Sequence, residues 1–221
     1  SVPLLMGRVY QINIADGTYN LSGAYTFKQS ISSLGNADYS SVIKIVGNTS
    51  TPTNVVINGL NTSTNCLEVD GSNFLLDING VYFTNCATAI EASNARILLR
   101  NVSFKPTLSG IVAQNATRIT TQTGGTGLNF DLSLGSIYAI ISTTQSSVTL
   151  TTPTTVTGFS SINSAFVCAL DSSFNLVATC TLTADVAGAR QAIRVSSNGT
   201  MTISGTISVS NCTVSSTTSE Y

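Results

Sequence analysis

The chain has 221 residues, 9 of them Lys or Arg and 10 Asp or Glu, for a formal net charge of −1. The basic residues are scattered, so the basic patch that phosphate contacts need is missing and nucleic acid is excluded as a partner. There is no histidine and no Cys-x-x-Cys pair, which excludes a Ser-His-Asp triad, a Cys-His dyad and a zinc site; no metal and no cofactor is expected.

The polar residues are instead uncharged: 31 Ser, 32 Thr and 19 Asn. Together with abundant Val and Ile they fit pleated strands rather than disorder. Ser1 is followed by no charged, signal-like leader, which points to a processed product or a fragment. The predicted elements begin at Val9-Tyr10-Gln11-Ile12-Asn13-Ile14 and Asp16-Gly17-Thr18-Tyr19. Next come Val42–Val46 and Val55-Val56-Ile57-Asn58-Gly59. No run of about 18 apolar residues occurs anywhere, so no helical membrane insertion is expected.

A repeat follows. Val69-Asp70-Gly71-Ser72-Asn73 recurs 21 residues later as Ile90-Glu91-Ala92-Ser93-Asn94, and again as Ile111-Val112-Ala113-Gln114-Asn115. Leu76, Ile78, Val81 and Phe83 are likewise followed 21 residues on by Ile97, Leu99, Val102 and Phe104. Within each unit apolar residues alternate, break at Gly80 or Asn101, and alternate again. One such unit cannot bury its own apolar face, so it must stack on the next. The pattern predicts an all-β chain: a right-handed parallel β-helix of about eight coils, with a β-sandwich or jelly roll as the competing fold. Residues 1–212 form one domain in this reading, and 213–221 are a polar tail. After residue 115 the coils are longer and less regular. Ile140-Ile141, Ala169-Leu170 and Ile193-Arg194-Val195 are read as later equivalents of Val69, with a separate small β domain over the last 80 or so residues as the alternative. Residues 1–8 and 213–221 are the expected end caps.

The opening Ile12–Tyr19, the Ile57-Asn58-Gly59 turn and the repeated Asn73, Asn94 and Asn115 resemble the pectin-lyase-like β-helix superfamily over residues 8–212. Within it the chain is most similar to phage tailspike and tail-fibre β-helices. That resemblance implies a homotrimeric virion module on the tail, made in the bacterial cytoplasm and exposed to the extracellular medium, which attaches to host cells through surface glycans. Apolar residues on outward positions, such as Leu75 and Leu98, agree with an assembly. No catalytic motif of a particular family matches. A glycan depolymerase of the hydrolase type and a bacterial surface adhesin stay open as alternatives.

The candidate site residues follow from the repeat. Asn73, Asn94 and Asn115 are read as a structural ladder at a turn. Asp70 and Glu91 fall on the same repeat position, which would bring their backbones about 5 Å apart. Retaining glycosidases need two carboxyl groups at about that separation, one as nucleophile and one as acid. The plainer reading is two water-facing carboxylates that splay apart. Asp77 lies in an outward row and is placed to pair diagonally with Arg100 or Arg96, as an exposed ion pair. With no Trp in the chain, Tyr82 is the outward aromatic nearest these groups. Asp77, Tyr82, Arg96 and Arg100 are the candidate substrate-binding residues. The five cysteines are read as small buried hydrophobes.

Overall fold

A computed structural model describes residues 9–28, 42–60, 63–71, 75–122, 127–159, 164–185 and 192–211. Asn73, the proposed caps and the tail beyond 212 lie outside the described residues.

Every strand pairing is parallel, and three rows of strands run through the described chain. Row one contains Val9–Asn13, Val42–Val46, the first half of Leu75–Thr84, the first half of Arg96–Lys105, Arg118–Thr121, Ser147–Leu150, Ser173–Leu176 and Thr200–Ile203. Row two contains Gly17–Asn20, Val55–Asn58, the second halves of those two long strands, Leu128–Asp131, Thr154–Phe159, Cys180–Ala184 and Ile207–Ser210. Row three, a sheet of its own, runs through Tyr25–Lys28, Leu67–Asp70, Thr88–Ser93, Ser109–Gln114, Tyr138–Ser142, Phe166–Cys168 and Ile193–Val195. The chain visits rows one, two and three in turn and then returns to row one beside the strand it left. Each circuit is called a level below. This all-β, parallel arrangement is compatible with a parallel β-helix.

Alternation sets the core. In row one Leu76 pairs with Ile97 and Ile78 with Leu99, and all four are buried. In row two Phe83, Phe104 and Phe130 follow one another in register. Their rings stack at centroid distances of 5.8 and 4.5 Å. The 21-residue offset read from Leu76, Ile78, Val81 and Phe83 is therefore the true register between Leu75–Thr84 and Arg96–Lys105. The bend between these rows sits at Gly80 and Asn101, both with positive φ, as the sequence indicated. A Cβ on Gly80 would stand 2.6 Å from the Asn48 backbone, so only glycine fits at position 80.

Row three departs from the reading. Val69 pairs with Ala92, not with Ile90, and the offset there is 23 residues. The extra two residues lie in the link back to row one, which is longer after Asp70 than after Ser93. Phe166, rather than Ala169 or Leu170, continues the row beside Ile140. The pairing then runs on unbroken to Ile193–Val195 in row three and Ile207–Ser210 in row two.

The corner from row three to row one is built the same way level after level. Asn94, Asn115, Thr144, Leu170 and Ser197 all take left-handed backbone conformations there. Asparagine suits that conformation because its short polar side chain can bond locally. Asn94 and Asn115 do not bond each other through their amides; both donate to the Ser93 hydroxyl, at 3.4 and 3.0 Å. An amide ladder does exist, but at the corner from row two to row three. Asn58 donates to Asn20 at 2.9 Å, and Asn85 donates to Asn58 at 3.1 Å.

Just past the left-handed corner, one residue after Asn94 and two after Asn115, Thr144 and Leu170, lies a second, buried ladder. The Ala95 N–H donates to the Thr117 hydroxyl at 3.3 Å, the Thr117 N–H to Ser146 at 3.2 Å, and the Ser146 N–H to Ser172 at 3.2 Å. All four residues are buried. Each hydroxyl satisfies a backbone donor that water cannot reach. Thr117→Val keeps the shape but orphans the Ala95 N–H, and is expected to cost about 1–3 kcal/mol in guanidinium unfolding. Thr120→Val, on a half-buried outward position, is expected to stay within about 0.5 kcal/mol.

Among the described residues, no strand pairs with the outer edge of the first level. Its inward residues Ile12, Ile14, Tyr19 and Phe27 border an apolar cavity of about 400 Å³ with Ile45, Leu67 and Phe83. The four described cysteines, Cys66, Cys86, Cys168 and Cys180, are buried and free. A hydrogen bond with Cys86, together with burial, holds the Cys66 thiol far above its ordinary value. Burial pushes Cys180 up to about 12. These thiols act as small packing groups, as the sequence suggested.

Candidate functional site

On the outer side of row three, the register slip changes which carboxylates meet. Glu68 pairs with Glu91, while Asp70 stands opposite Ser93. The expected equivalence of Asp70 and Glu91 does not hold. Glu68 is the residue the sequence reading left out of the pair. Asp70 is exposed, whereas Glu68 and Glu91 are half-buried.

Side-chain amides hold these two glutamates. Asn65 donates to Glu91 Oε2 at 2.6 Å and to Glu68 Oε1 at 3.3 Å, so one amide bridges adjacent levels. Gln114, from the level below, donates to Glu91 Oε1 at 3.1 Å. Thr26, from the level above, donates to Glu68 Oε2 at 3.4 Å. The result is a groove of about 240 Å³ lined by Glu68, Val69, Asp70, Glu91, Ser93 and Gln114. Carboxylate oxygens accept from hydroxyls, and Ser93 and Gln114 add groups that both donate and accept. Both oxygens of Glu91 already accept from amides. A general acid must instead present a proton to a leaving oxygen. The groove therefore suits the binding of hydroxyl-rich ligands better than it suits glycoside cleavage. Among the described residues, no group of three His, Cys, Asp or Glu is placed to hold a metal ion.

The other candidates lie elsewhere. Asp77, Arg96 and Arg100 belong to row one, and Tyr82 to row two, in a different sheet from Glu91. The diagonal pair forms: Arg100 Nε donates to Asp77 Oδ1 at 3.2 Å, and Arg100 Nη2 meets Oδ2. It is not the exposed pair that was expected. The Asp77 side chain is 4% exposed and that of Arg100 27%. Asp77 lies in register between Lys44 and Leu98, and the short 3₁₀ turn Pro52–Asn54 packs against its strand. Tyr82 is half-buried between Val56 and Ser103. These four residues do not join the row-three groove.

A second ion pair sits on row two, where Lys105 Nζ lies 2.8 Å from Asp131 Oδ2. Partial burial pulls the Asp131 carboxyl up, but the Lys105 ammonium and the Ser133 hydroxyl and backbone N–H outweigh it and hold it below its ordinary value. The same contact, against a smaller opposing effect of burial, raises the Lys105 ammonium. For the depressed carboxyl, the stabilisation is present above its ordinary value and is lost as pH falls through the folded one. For the raised ammonium, it is present below its ordinary value and is lost as pH rises through the folded one. Both groups meet solvent, so each loss is expected to stay under about 1 kcal/mol. Unfolding midpoints followed from neutral pH into acid should fall less steeply for Asp131→Asn than for the wild type.

No described helix is long and apolar enough to cross a membrane, a statement that leaves β-barrels untouched. No protein-family model, curated protein or solved structure matches this chain.

Proposed function

We propose that this chain is a right-handed parallel β-helix of about eight coils, of the pectin-lyase-like kind, and that it serves as an attachment module for cell-surface glycans. The tailspike resemblance of its sequence supports a position on a phage tail, exposed to the medium. The observation that carries the reading is the row-three groove. Glu68, Glu91 and Asp70 offer acceptors on one outer face, and Asn65 and Gln114 fix the two glutamates across three levels. Stacked parallel strands make a stiff support, so the acceptors keep their spacing without any loop having to order on binding.

The test is titration calorimetry against a panel of capsular and lipopolysaccharide O-chains, with solution viscosity followed in parallel. At least one polymer is expected to bind with its viscosity unchanged. Asp70→Ala, at the exposed end of the groove, is expected to weaken that binding roughly tenfold. Binding that Asp70→Ala leaves intact would move the site off row three. A falling viscosity would replace attachment by depolymerisation.

A further inference from the structure

We propose that Arg96 and Arg118 form an oxyanion subsite, which holds a carboxylate or phosphate group of the same glycan whose hydroxyls enter the row-three groove. Resting on the attachment reading above, the subsite narrows its ligand to an anionic glycan. The two arginines are register partners on adjacent levels of row one, so their backbones lie about 4.8 Å apart. Alternation turns both side chains outward. Ile97 and Ile119, the next residues along, are buried, whereas Arg96 is half-buried and Arg118 is exposed. Like charges set opposite each other on neighbouring strands repel. The outward neighbours do not offset them. Leu75 pairs with Arg96 from the level above, and Ser147 pairs with Arg118 from the level below. Leu98 and Thr120, the next outward residues along the two strands, are uncharged as well. Arg100 is already paired with Asp77. Arg118 makes no ion pair with any described residue.

An oxyanion between the two guanidiniums turns one repulsion into two attractions. The planar guanidinium fork matches the paired oxygens of a carboxylate or a phosphate. The Ser147 hydroxyl adds a donor on the next level. Position ties this subsite to the groove. Ser93 and Gln114 line the groove. Arg96 follows Ser93 by three residues and Arg118 follows Gln114 by four, so each arginine backbone lies within about 10–14 Å of a groove residue. Between them runs the left-handed corner, where Asn94 and Asn115 are exposed and leave the path open. The groove offers carboxylate acceptors on row three, and the arginines offer cationic donors on row one. A sugar whose hydroxyls bond Asp70 and Ser93 can therefore carry an acidic substituent around the corner to the arginines. The two sides differ in sign, so the ligand is fixed in direction as well as in place.

The test is titration of the full chain with inorganic phosphate, followed by NMR of the arginine Nε–Hε groups. The Arg96 and Arg118 signals are expected to move together and to saturate at roughly millimolar phosphate. Arg194 is the internal control: it is exposed, makes no ion pair with any described residue and pairs with Val167 rather than with a second arginine. Its signal is expected to drift without saturating. Arg118→Gln changes an exposed side chain, so the fold is expected to hold, as circular dichroism would verify. Read at the Arg96 signal, this variant is expected to bind phosphate roughly tenfold more weakly. Arg118→Lys keeps the charge without the fork and is expected to recover only part of that loss. Glucuronic acid and glucose 1-phosphate, added in competition with phosphate, distinguish a sugar carboxylate from a sugar phosphate; methyl glucoside is expected not to compete. Signals that never saturate, an Arg194 signal that saturates alongside, wild-type affinity in Arg118→Gln, or competition by methyl glucoside would each overturn the proposal. Phosphate is read without any polymer, so the two readings fail separately. A polymer panel without binding strikes the attachment reading, whereas a missing phosphate response beside a polymer that binds strikes the subsite alone.

Discussion

Phe104→Ala is expected to lower the unfolding free energy by roughly 3–5 kcal/mol. Its ring lies between those of Phe83 and Phe130 and is 1% exposed. Truncation removes the apolar contacts and both stacking partners at once, and leaves a void between two levels that the parallel ladders on either side prevent from collapsing. Phe104→Leu keeps most of the volume and is expected to cost less than half as much. Guanidinium unfolding followed by far-UV circular dichroism measures both. A Phe104→Ala loss under about 1 kcal/mol would mean that the three rings do not share one interior column.

The second large effect concerns Asp77 and Arg100. Arg100→Met leaves the carboxylate of Asp77 buried without its partner, and is expected to cost roughly 3–5 kcal/mol. Asp77→Leu leaves the less buried guanidinium behind and is expected to cost less. Removing both, as Asp77→Leu with Arg100→Met, takes two charges off a covered face. It is expected to return stability to near the wild-type value, because the pair's attraction largely offsets its own desolvation. The four unfolding free energies form a cycle whose coupling term isolates the pair. Single variants whose costs simply add in the double would show that the two side chains act independently.

The register of rows one and two was readable because bulky residues repeat there: Leu, Ile, Val and Phe recur at matching positions on Leu75–Thr84 and Arg96–Lys105. Row three misled because its true partner for Val69 is Ala92. Ile90, two residues earlier, resembles Val69 far better, and a pattern of side-chain sizes cannot register a small residue that fills a narrow place in the core. That slip carried Asp70 opposite Ser93 and hid Glu68. Left-handed corners tolerate Thr144, Leu170 and Ser197 where the backbone is pinned on both sides, so asparagine marks the corner without being required there. The amide ladder of Asn20, Asn58 and Asn85 has steps of unequal length along the chain, because the links between rows differ. No fixed period reveals it. The burial of Asp77 was equally out of reach, since the turn that packs against its strand comes from Pro52–Asn54, more than twenty residues earlier in the chain.

The central claim is that successive levels stack along one axis, and pulsed dipolar spectroscopy on paired spin labels tests it most directly. With Cys212 replaced by Ser and one label fixed at Ser208, the second label is moved up the row-two column to Asn129, Ser103 and Thr18. These positions lie three, four and seven levels away by the strand pairing. Stacked parallel strands require backbone separations of about 14, 19 and 34 Å, a steady rise of one strand spacing per level. Separations that fail to grow with level number, as in two packed sheets with strands folded back on one another, would contradict the stack and every site placed on it.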